Sequence, residues 1–380
     1  MYGGNLYNGV NKKIFAQATQ LYRLGINFSL VLIGGINNSY PEFKFIQYIP
    51  LYKHYFPETP FVKRFYRQYL AKQYIKNCIA NSGSDTILYL RYPLPLLLLP
   101  HELTTRRKCK IIFEFNSIEI HEQRKRGSFL SYYKELLLGN GFRKRCDGIV
   151  GVTDEITQYQ LKRSGNFNKR HITIGNGIDV NSVPVRELPA DDGQNLNIIC
   201  VADVTFWHGI DRLIKGIAEY KGGWNIQLNI VGGGDEIPNL KNLASRLRIN
   251  DHVNFHGFVH GNELDRLFEQ NHIAVGSLGI HRIGLNQLSI LKAREYCARG
   301  IPYIIACSDP DFPEDFPYIL RLPADDSPID MELVLLFSSK ICHDIHHSQN
   351  MRQYARDNLD WSVKMKKLKG FLEDLPINNN

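Results

Sequence analysis

The chain has 380 residues, 43% of them hydrophobic, with a formal net charge of +8 and no low-complexity tract. This length suggests two domains, each with its own core. Its seven cysteines are scattered singly without a CxxC pair, which excludes a zinc site and indicates reduced thiols in a cytoplasmic protein. The positive charge fits anionic partners such as nucleotide phosphates, phospholipid headgroups or nucleic acid.

We predict neither a signal peptide nor a membrane-spanning helix. The longest apolar run is "YPLPLLLLP" at 92–100, which is far too short to cross a bilayer. Any action at a membrane would therefore take place at its surface.

In the first half of the chain, apolar strand-like runs alternate with helical stretches. A helix is predicted over 10–25 and a buried strand with a glycine turn over 27–35. Further strands are predicted at 86–93, 109–117 and 147–156. Apolar strands spaced by helix-length segments indicate a parallel sheet covered by helices on both faces.

The polar segment 185–195 predicts a linker, and the alternation restarts after it. Strands are expected at 196–203, 226–236, 252–258, 272–278 and 302–307, separated by helices at 209–220, 237–248 and 262–270 and by the stretch 287–302, a loop running into a helix. This pattern predicts a second doubly wound α/β domain, followed by a helical tail at 346–375.

The N-terminus is unusual for such a domain. The chain opens with "MYGGNLYNGVNKK", already at a glycine turn, where a strand normally comes first. We hypothesise that the first strand is missing from this sequence.

Two glycine turns follow strands. "IVGGGDE" (230–236) places glycines between a strand and a helix, an arrangement in which the backbone approaches an anion, although a plain tight turn explains it equally well. "ITIGNGIDV" (172–180) is a strand with an Asn-Gly turn, which also fits a simple β-turn at a domain edge.

A series of motifs, taken together and in chain order, indicates one protein family more strongly than any single motif does. "ITIGNGID", "VADVTFWHGIDRLI", "LNIVGGGDE", "VNFHGFV", "IAVGSL", "LKAREYCARGIPYI" and "NLDW" resemble the retaining glycosyltransferases of family 4. The resemblance implies the GT-B fold, with two Rossmann-like doubly wound domains facing a central cleft. The domains would be 1–188 for the acceptor and 189–357 for the nucleotide-sugar, with a helix at 358–380 packing back on the first.

The family has a Glu-x7-Glu motif, which the resemblance places at Gln287 and Glu295. The second position would accept hydrogen bonds from the nucleotide ribose, for which a carboxylate is well suited. The first lies at the donor sugar, where glutamine keeps hydrogen bonding but loses charge. Read alone, Glu295 is also explained by a helix-face ion pair with Lys292.

The family neutralises the donor pyrophosphate with an arginine and a lysine, whose positions are Asp203 and His208 here. Because a departing nucleotide diphosphate needs positive charge, we expect Lys292 and Arg282 to substitute, with His208 donating once phosphates raise its pKa. Solvated surface charge is the alternative for Lys292 and Arg282. The family's glycines after the first glutamate are replaced by Leu288 and Ile290.

The resemblance therefore implies a set of site residues. The donor-binding residues would be Gly9, Asp203, His208, Gly232, Gly233, Gly234, Phe258, Val259, Arg282, Gln287, Leu291, Lys292 and Glu295, and the catalytic ones Gln287, His208 and His121.

In the first domain, Asn8 and Gly9 occupy the position of the family's glycine loop. His121 or Glu119, just after a strand, would contact the acceptor, although a surface loop explains them equally well. The stretch 48–77 is rich in Tyr, Phe, Lys and Arg. It fits a helix on a membrane surface, a plain packed helix or, least well, a nucleic-acid contact.

The expected function is transfer of a sugar from a nucleotide-sugar, with retention, to a glycan or lipid-linked acceptor. The "FWHG" and "LKxREY" forms resemble a subgroup of bacterial surface-polysaccharide enzymes that make capsule or O-antigen. No metal, other cofactor or nucleic acid is expected, and the protein would be cytoplasmic or peripheral on the inner face of the membrane. The alternatives are a non-catalytic glycosyltransferase-like binding protein and a GT-B nucleotide-sugar epimerase.

Overall fold

A computed structural model of the chain describes residues 9–33, 45–49, 60–92, 99–103, 107–125, 127–189 and 193–375. The chain forms two compact units. The first consists of Met1–Gly175 together with Trp361–Asn380, and the second of Asn176–Asp360.

The chain leaves the first unit earlier than the sequence predicted, at 175/176 instead of 188/189, and returns at 360/361 instead of 357/358. Backbone and side-chain bonds explain the first shift. The amide of Asn176 donates to Ser289 Oγ at 2.6 Å. Arg186, inside the predicted linker, is only 5% exposed and donates to the carbonyls of Asn271 and Gly300. Although 185–195 is polar in composition, Arg186 within it is buried and bonded to backbone carbonyls of the second unit.

The first unit contains a four-stranded parallel sheet of order β3-β4-β5-β6 and a separate parallel pair, β1 and β2. The strands are β1 (Leu30–Ile33), β2 (Ile46–Ile49), β3 (Ile87–Arg91), β4 (Lys110–Phe115), β5 (Gly148–Gly151) and β6 (Arg170–Thr173). The helices are α1 (Gly9–Arg23), α2 (Pro60–Asn81), α3 (Glu119–Lys125), α4 (Phe129–Arg145), α5 (Asp154–Ser164) and, from the end of the chain, α12 (Trp361–Glu373). All six residues of β4 are buried, as expected for a central strand of a covered parallel sheet.

Helix α12 belongs to the first unit because one of its faces is apolar. Trp361, Met365 and Leu368 on this helix are each at most 3% exposed. Lys369 Nζ donates to the carbonyl of Leu24, just after α1, at 3.0 Å. Helix α12 is thus fixed against the first described helix.

The second unit contains a six-stranded parallel sheet of order β12-β11-β10-β7-β8-β9. The strands are β7 (Asn195–Val201), β8 (Asn225–Val231), β9 (Val253–Gly257), β10 (Ile273–Val275), β11 (Tyr303–Ile305) and β12 (Ile319–Arg321). The helices are α6 (Ile210–Glu219), α7 (Ile237–Arg246), α8 (Asn262–Glu269), α9 (Leu291–Arg299), α10 (Met331–Cys342) and α11 (His347–Tyr354), the last followed by a π-helical turn (Ala355–Leu359).

The core of the second unit lies on both faces of this sheet. Ile198 and Cys200 face one buried cluster, and their neighbour Ile199 faces the other, as the strand period of two requires. The predicted doubly wound architecture is confirmed. Of the seven thiols, only that of Cys342, at the end of α10, is on an exposed residue.

The described helices include none that is both long and apolar enough to cross a membrane. The predicted membrane-surface stretch 48–77 corresponds in part to α2, and its residues 50–59 lie outside the described residues.

Candidate functional site

The loop after β7 (202–208) packs against the glycine turn after β8. Gly232 and Gly234 have φ angles of 118° and 127°, which side-chain-bearing residues rarely adopt. A Cβ atom on Gly234 would lie 2.1 Å from the carbonyl oxygen of Val204, and one on Gly232 would lie 2.0 Å from that of Ala202. These two glycines therefore allow two strand ends to approach closely.

Backbone bonds fix this arrangement. Gly232 N donates to Gly257 O, and Val204 N donates to Gly233 O, both at 2.6 Å. The amide of Gly232 is thus used within the protein. In the structure Gly232 therefore serves a tight turn, which is the second of the two interpretations of "IVGGGDE".

Phe258 follows β9 at the same end of the sheet, since the carboxyl ends of parallel strands meet at one edge. Its side chain is 82% exposed. A Cβ atom on Gly233 would lie only 2.6 Å from the nearest atom of this ring, so the ring lies directly against the glycine turn. Val259 instead packs against the core. An exposed aromatic ring beside a glycine turn offers a flat surface for another ring.

His208 has one ring nitrogen committed to the protein. Its Nδ1 accepts from the backbone N–H of Thr205 at 3.0 Å, so in the neutral ring the proton lies on Nε2. Burial, reinforced by the charge of Lys292, lowers the pKa of His208 to about 3. In the ligand-free protein His208 is therefore a neutral Nε2–H donor, whereas the imidazolium predicted from the sequence was expected with phosphates bound.

Lys292 lies in the first turn of α9, and its Nζ is shut off from solvent. Among the described residues this ammonium has no hydrogen-bond partner. Burial lowers its pKa, and the groups that act on it electrostatically include the thiols of Cys200 and Cys307. An ammonium at this end of a helix also faces the positive pole of the helix dipole. The position is unfavourable for a cation unless an anion joins it.

Arg282 differs from the expected free cation. Its guanidinium makes a two-pronged ion pair with Asp211 at 2.8 and 3.0 Å and a further bond to Asp326 at 2.7 Å. It also donates to the carbonyl of Phe206 at 2.7 Å. Arg282 therefore supports the 202–208 loop, and its charge is already balanced by two carboxylates.

The remaining predicted donor residues of this unit lie on loops or helix starts. Asp203 is exposed, and Leu291 is the first residue of α9. Gln287 is half-buried and forms an isolated parallel bridge with Ser308, where Leu288 N donates to Ser308 O at 2.9 Å.

Glu295 makes a helix-face ion pair, but not with Lys292. Its Oε1 lies 2.9 Å from Arg299 Nε, one turn further along α9, and Arg299 also pairs with Asp265 at 2.7 Å. The alternative partner considered from the sequence is thus wrong. The carboxylate remains half-exposed, so it retains oxygen lone pairs for a ligand.

Arg294 was missed by the sequence analysis. It is fully buried and pairs with Asp309 and Asp311, while donating to Ser289 Oγ at 2.8 Å and to the carbonyl of Asn176 at 2.9 Å. It fixes the loop that carries Gln287 to the start of α9. In sequence it resembles any charged residue on a helix, and only its buried partners reveal its role.

In the first unit, His121 lies on α3, beyond the end of β4. Its Nδ1 is buried and has no hydrogen-bond partner within the part of the chain described, and its ring lies 6.0 Å from that of Tyr159. Gly9 is the first residue of α1.

Glu119 belongs to a buried ionic cluster that the sequence did not indicate. Arg143 pairs with Glu119 at 3.0 Å and with Glu135 at 2.7 Å, and it also contacts the ring of Tyr92. Burial raises the pKa of Glu119 to about 7, although Arg143 opposes the shift. Gln160 Nε2 donates to the same carboxylate at 3.2 Å. Glu119 thus has protein partners, unlike His121 Nδ1.

A neighbouring pair is also buried. Lys13 Nζ lies 2.6 Å from both Glu114 Oε1 and Asn116 Oδ1, which joins α1 to the end of β4.

Within the described ranges, no group of three or more His, Cys, Asp or Glu side chains is placed to hold a metal ion.

The fold is that of the GT-B glycosyltransferases. A sucrose-phosphate synthase from Thermosynechococcus elongatus is similar over 98% of this chain and 95% of its own, with a TM-score of 0.68 and 16% identity. The Anabaena protein HepE, in a complex with UDP, is similar over 98% of this chain and 91% of its own, with a TM-score of 0.59 and 12% identity.

Residues 186–306 match the family of glycosyl transferases group 1. An uncharacterized glycosyltransferase from Haemophilus influenzae is 38% identical over 114 residues. This match covers 29% of the present chain and 30% of the relative, so the chain spans less than a third of the curated relative that it matches.

Proposed function

We propose that the protein is a retaining glycosyltransferase. It would move a hexose or related sugar from a nucleotide-sugar to a glycan or lipid-linked acceptor of a bacterial surface polysaccharide, such as capsule or O-antigen. The GT-B fold and the group 1 match of residues 186–306 support sugar transfer. The UDP complex of HepE, which shares the fold, supports a nucleotide-sugar as donor.

The observation that carries the proposal is the unpaired ammonium of Lys292. A buried cation without a partner is costly, and Lys292 has none among the described residues. Its side chain has four rotatable bonds and is only partly covered, so Nζ can turn toward an arriving anion. A bound diphosphate would pair this charge and offset the cost of its burial. Solvated surface charge, the alternative interpretation of Lys292, does not explain a buried ammonium.

In the proposed step, the bond between the anomeric carbon and the phosphate oxygen breaks, and its electron pair stays on that oxygen. The acceptor hydroxyl forms the new bond on the same face, and its proton passes to the departing phosphate. Lys292 and the Nε2–H of His208 would stabilise the growing negative charge. Asp203 and Arg282 supply no free positive charge there, because one is acidic and the other is paired.

The other donor contacts follow from exposure and chemistry. Glu295 would accept from the ribose hydroxyls, Gln287 would bond a sugar hydroxyl, and the exposed ring of Phe258 would lie against the base. The first unit would bind the acceptor, with His121 as its polar contact. The proposal includes no bound metal or other cofactor.

Peripheral membrane association through 48–77 remains part of the proposal. Within the described portion of this stretch, Tyr69 on α2 is 50% exposed, while Lys72 and Lys76 lie 3.4 and 3.2 Å from Glu102. Two of its basic groups are thus close to a carboxylate of the same unit.

The test is a thermal-shift and calorimetry screen with UDP, GDP, ADP and their sugars. One base should stabilise the protein selectively, by about 2.7 kcal/mol at a hundredfold excess over Kd. Lys292→Met should then weaken binding of the diphosphate about tenfold to a hundredfold, because one charge-assisted bond is lost. Lys340→Met, an exposed lysine on α10 of the same unit, is the matched control and should bind normally.

A second variant separates the nucleoside from the phosphates. Glu295→Gln should weaken binding of a nucleoside diphosphate but leave inorganic pyrophosphate unaffected. Absence of a shift with every base would contradict glycosyl transfer, and an unchanged Kd in Lys292→Met would contradict the role of this lysine.

A further inference from the structure

The outer face of α4 is apolar and exposed. Five large side chains on this helix are between 46% and 78% exposed: Phe129, Leu130, Tyr133, Leu136 and Leu137. At about 100° per residue they fall within an arc of about 120°, which makes one continuous stripe. An apolar stripe of this kind on a folded surface marks an interaction site more often than chance exposure does.

The inner face of the same helix carries charges. Glu135 and Arg143 are both fully buried, and they form an ion pair at 2.7 Å. Helix α4 is therefore unusual for a surface helix, because two of its charged groups point inward while five of its large apolar groups point to solvent. The first unit's own core does not account for the outer stripe.

Along α4 and the residues just before it, the exposed charges have one sign. In the segment 123–145 the single carboxylate is Glu135, which is buried. The basic residues Arg124, Lys134, Lys144 and Arg145 are exposed or half-exposed. The stripe thus lies within a basic rim.

A neighbouring segment extends the apolar surface. Pro100, in the short 3-10 turn Pro100–Leu103, packs on α4, where a Cβ atom on Gly141 would come within 2.8 Å of its ring. The residue before it, Leu99, is 45% exposed and belongs to the longest apolar run of the sequence.

We propose that this face of α4 docks on an anionic phospholipid surface. The leucines and Phe129 would enter the boundary between headgroups and acyl chains, while the basic rim contacts the phosphates. A second copy of the chain fits less well, since a symmetric contact would bring the two basic rims together. The proposal rests on α4 and the adjoining turn and does not depend on the donor site.

The experiment is co-sedimentation of the full chain with phosphatidylcholine vesicles, with and without added phosphatidylglycerol. The protein should bind the anionic vesicles, and salt should weaken the binding. Leu137→Asn should lower the partition coefficient about tenfold, because one leucine no longer enters the apolar boundary. Leu336→Asn is the matched control, because Leu336 on α10 is also exposed, at 69% against 78% for Leu137.

Further variants distinguish the surfaces. Lys134→Gln with Lys144→Gln should reduce binding to anionic vesicles, and Tyr69→Ser on α2 should have a smaller effect than Leu137→Asn. Unfolding temperatures and sedimentation velocity should show folded proteins of unchanged size. Three results would overturn the proposal: no vesicle binding, equal loss in Leu137→Asn and Leu336→Asn, or a wild-type dimer that Leu137→Asn converts to a monomer without affecting lipid binding.

Discussion

Arg143 in the first unit and Lys292 in the second are both buried cations, but their surroundings are opposite. Arg143 has two carboxylates, a glutamine and two aromatic rings around it. Lys292 Nζ has no hydrogen-bond partner among the described residues, and the groups that influence its charge are thiols and a neutral histidine. A paired buried charge is explained by the fold that holds it, whereas an unpaired one is a candidate for binding an anionic ligand. This difference separates structural from ligand-binding candidates.

The largest effect is expected at the paired cation. Arg143→Met leaves Glu135 and Glu119 without their central partner, which should lower the free energy of unfolding of the first unit by about 3–5 kcal/mol. Urea unfolding, followed by hydrogen exchange in peptides from β4 and β8, reports the two units separately. Arg145→Met, two residues along the same helix and half-exposed, should change stability by less than about 0.5 kcal/mol. Equal losses in the free energy of unfolding of the two variants would contradict the structural role of the Arg143 ion pairs.

A smaller effect, dependent on pH, is expected from Glu119. Its pKa is about 7 in the folded protein, against an ordinary value of 4.5, so the folded state holds this proton more tightly. The stabilisation is complete below pH 4.5 and is lost as the pH rises to 7, a change of about 3 kcal/mol. Glu114 in the same unit has a lowered pKa and opposes this trend, so the measurement is the difference between the wild-type and Glu119→Gln free energies of unfolding in urea. This difference should show the decline across the range, and a difference that does not vary with pH would contradict the shifted pKa.

The second unit should respond to pH in the opposite direction. The pKa of His208 is about 3 when folded and 6.5 ordinarily, so the unfolded state binds the proton more readily. Stability is complete above pH 6.5 and falls as the pH decreases, by about 2 kcal/mol at pH 5. Unfolding monitored in β8 peptides tests this, with His208→Gln as the variant that should lose the dependence. A difference between the wild-type and His208→Gln free energies of unfolding that stays constant between pH 5 and pH 6.5 would contradict the lowered pKa.

The smallest effect has the opposite sign to that of Arg143→Met. Lys292→Met removes an unpaired ammonium, so the ligand-free second unit should gain about 1–2 kcal/mol in its free energy of unfolding. Urea unfolding without nucleotide measures the gain, and Lys340→Met should show none. A loss of stability would mean that Lys292 has a structural partner, and the site would then resemble that of Arg143.

The sequence predicted the sheets well because their signal is local. Runs such as "KIIFEF" and "IQLNIV" are apolar on both faces and separated by helix-length segments, which suffices for parallel strands in a covered sheet. It also indicated Lys292 as a candidate cation. The sequence analysis missed β2, β12 and α10, because none of its predicted elements covered these residues.

The buried charges could not be predicted from local pattern. Arg186 lies in a polar stretch typical of a linker, and Arg294 lies in "LKAREY", where it looks like surface charge. Both are buried because carbonyls or carboxylates distant in sequence surround them, as Asp309 surrounds Arg294. Arg282 was taken for a free cation because nothing near it in sequence reveals Asp211.

The uneven exposure of the cysteines has a practical consequence for these measurements. Burial keeps the pKa of Cys146 at about 11 and that of Cys307 at about 12, so both thiols resist alkylation in the folded protein. Cys342 alone lies on an exposed residue. A maleimide dye should therefore attach at the end of α10 without any substitution, giving an optical reporter confined to the second unit.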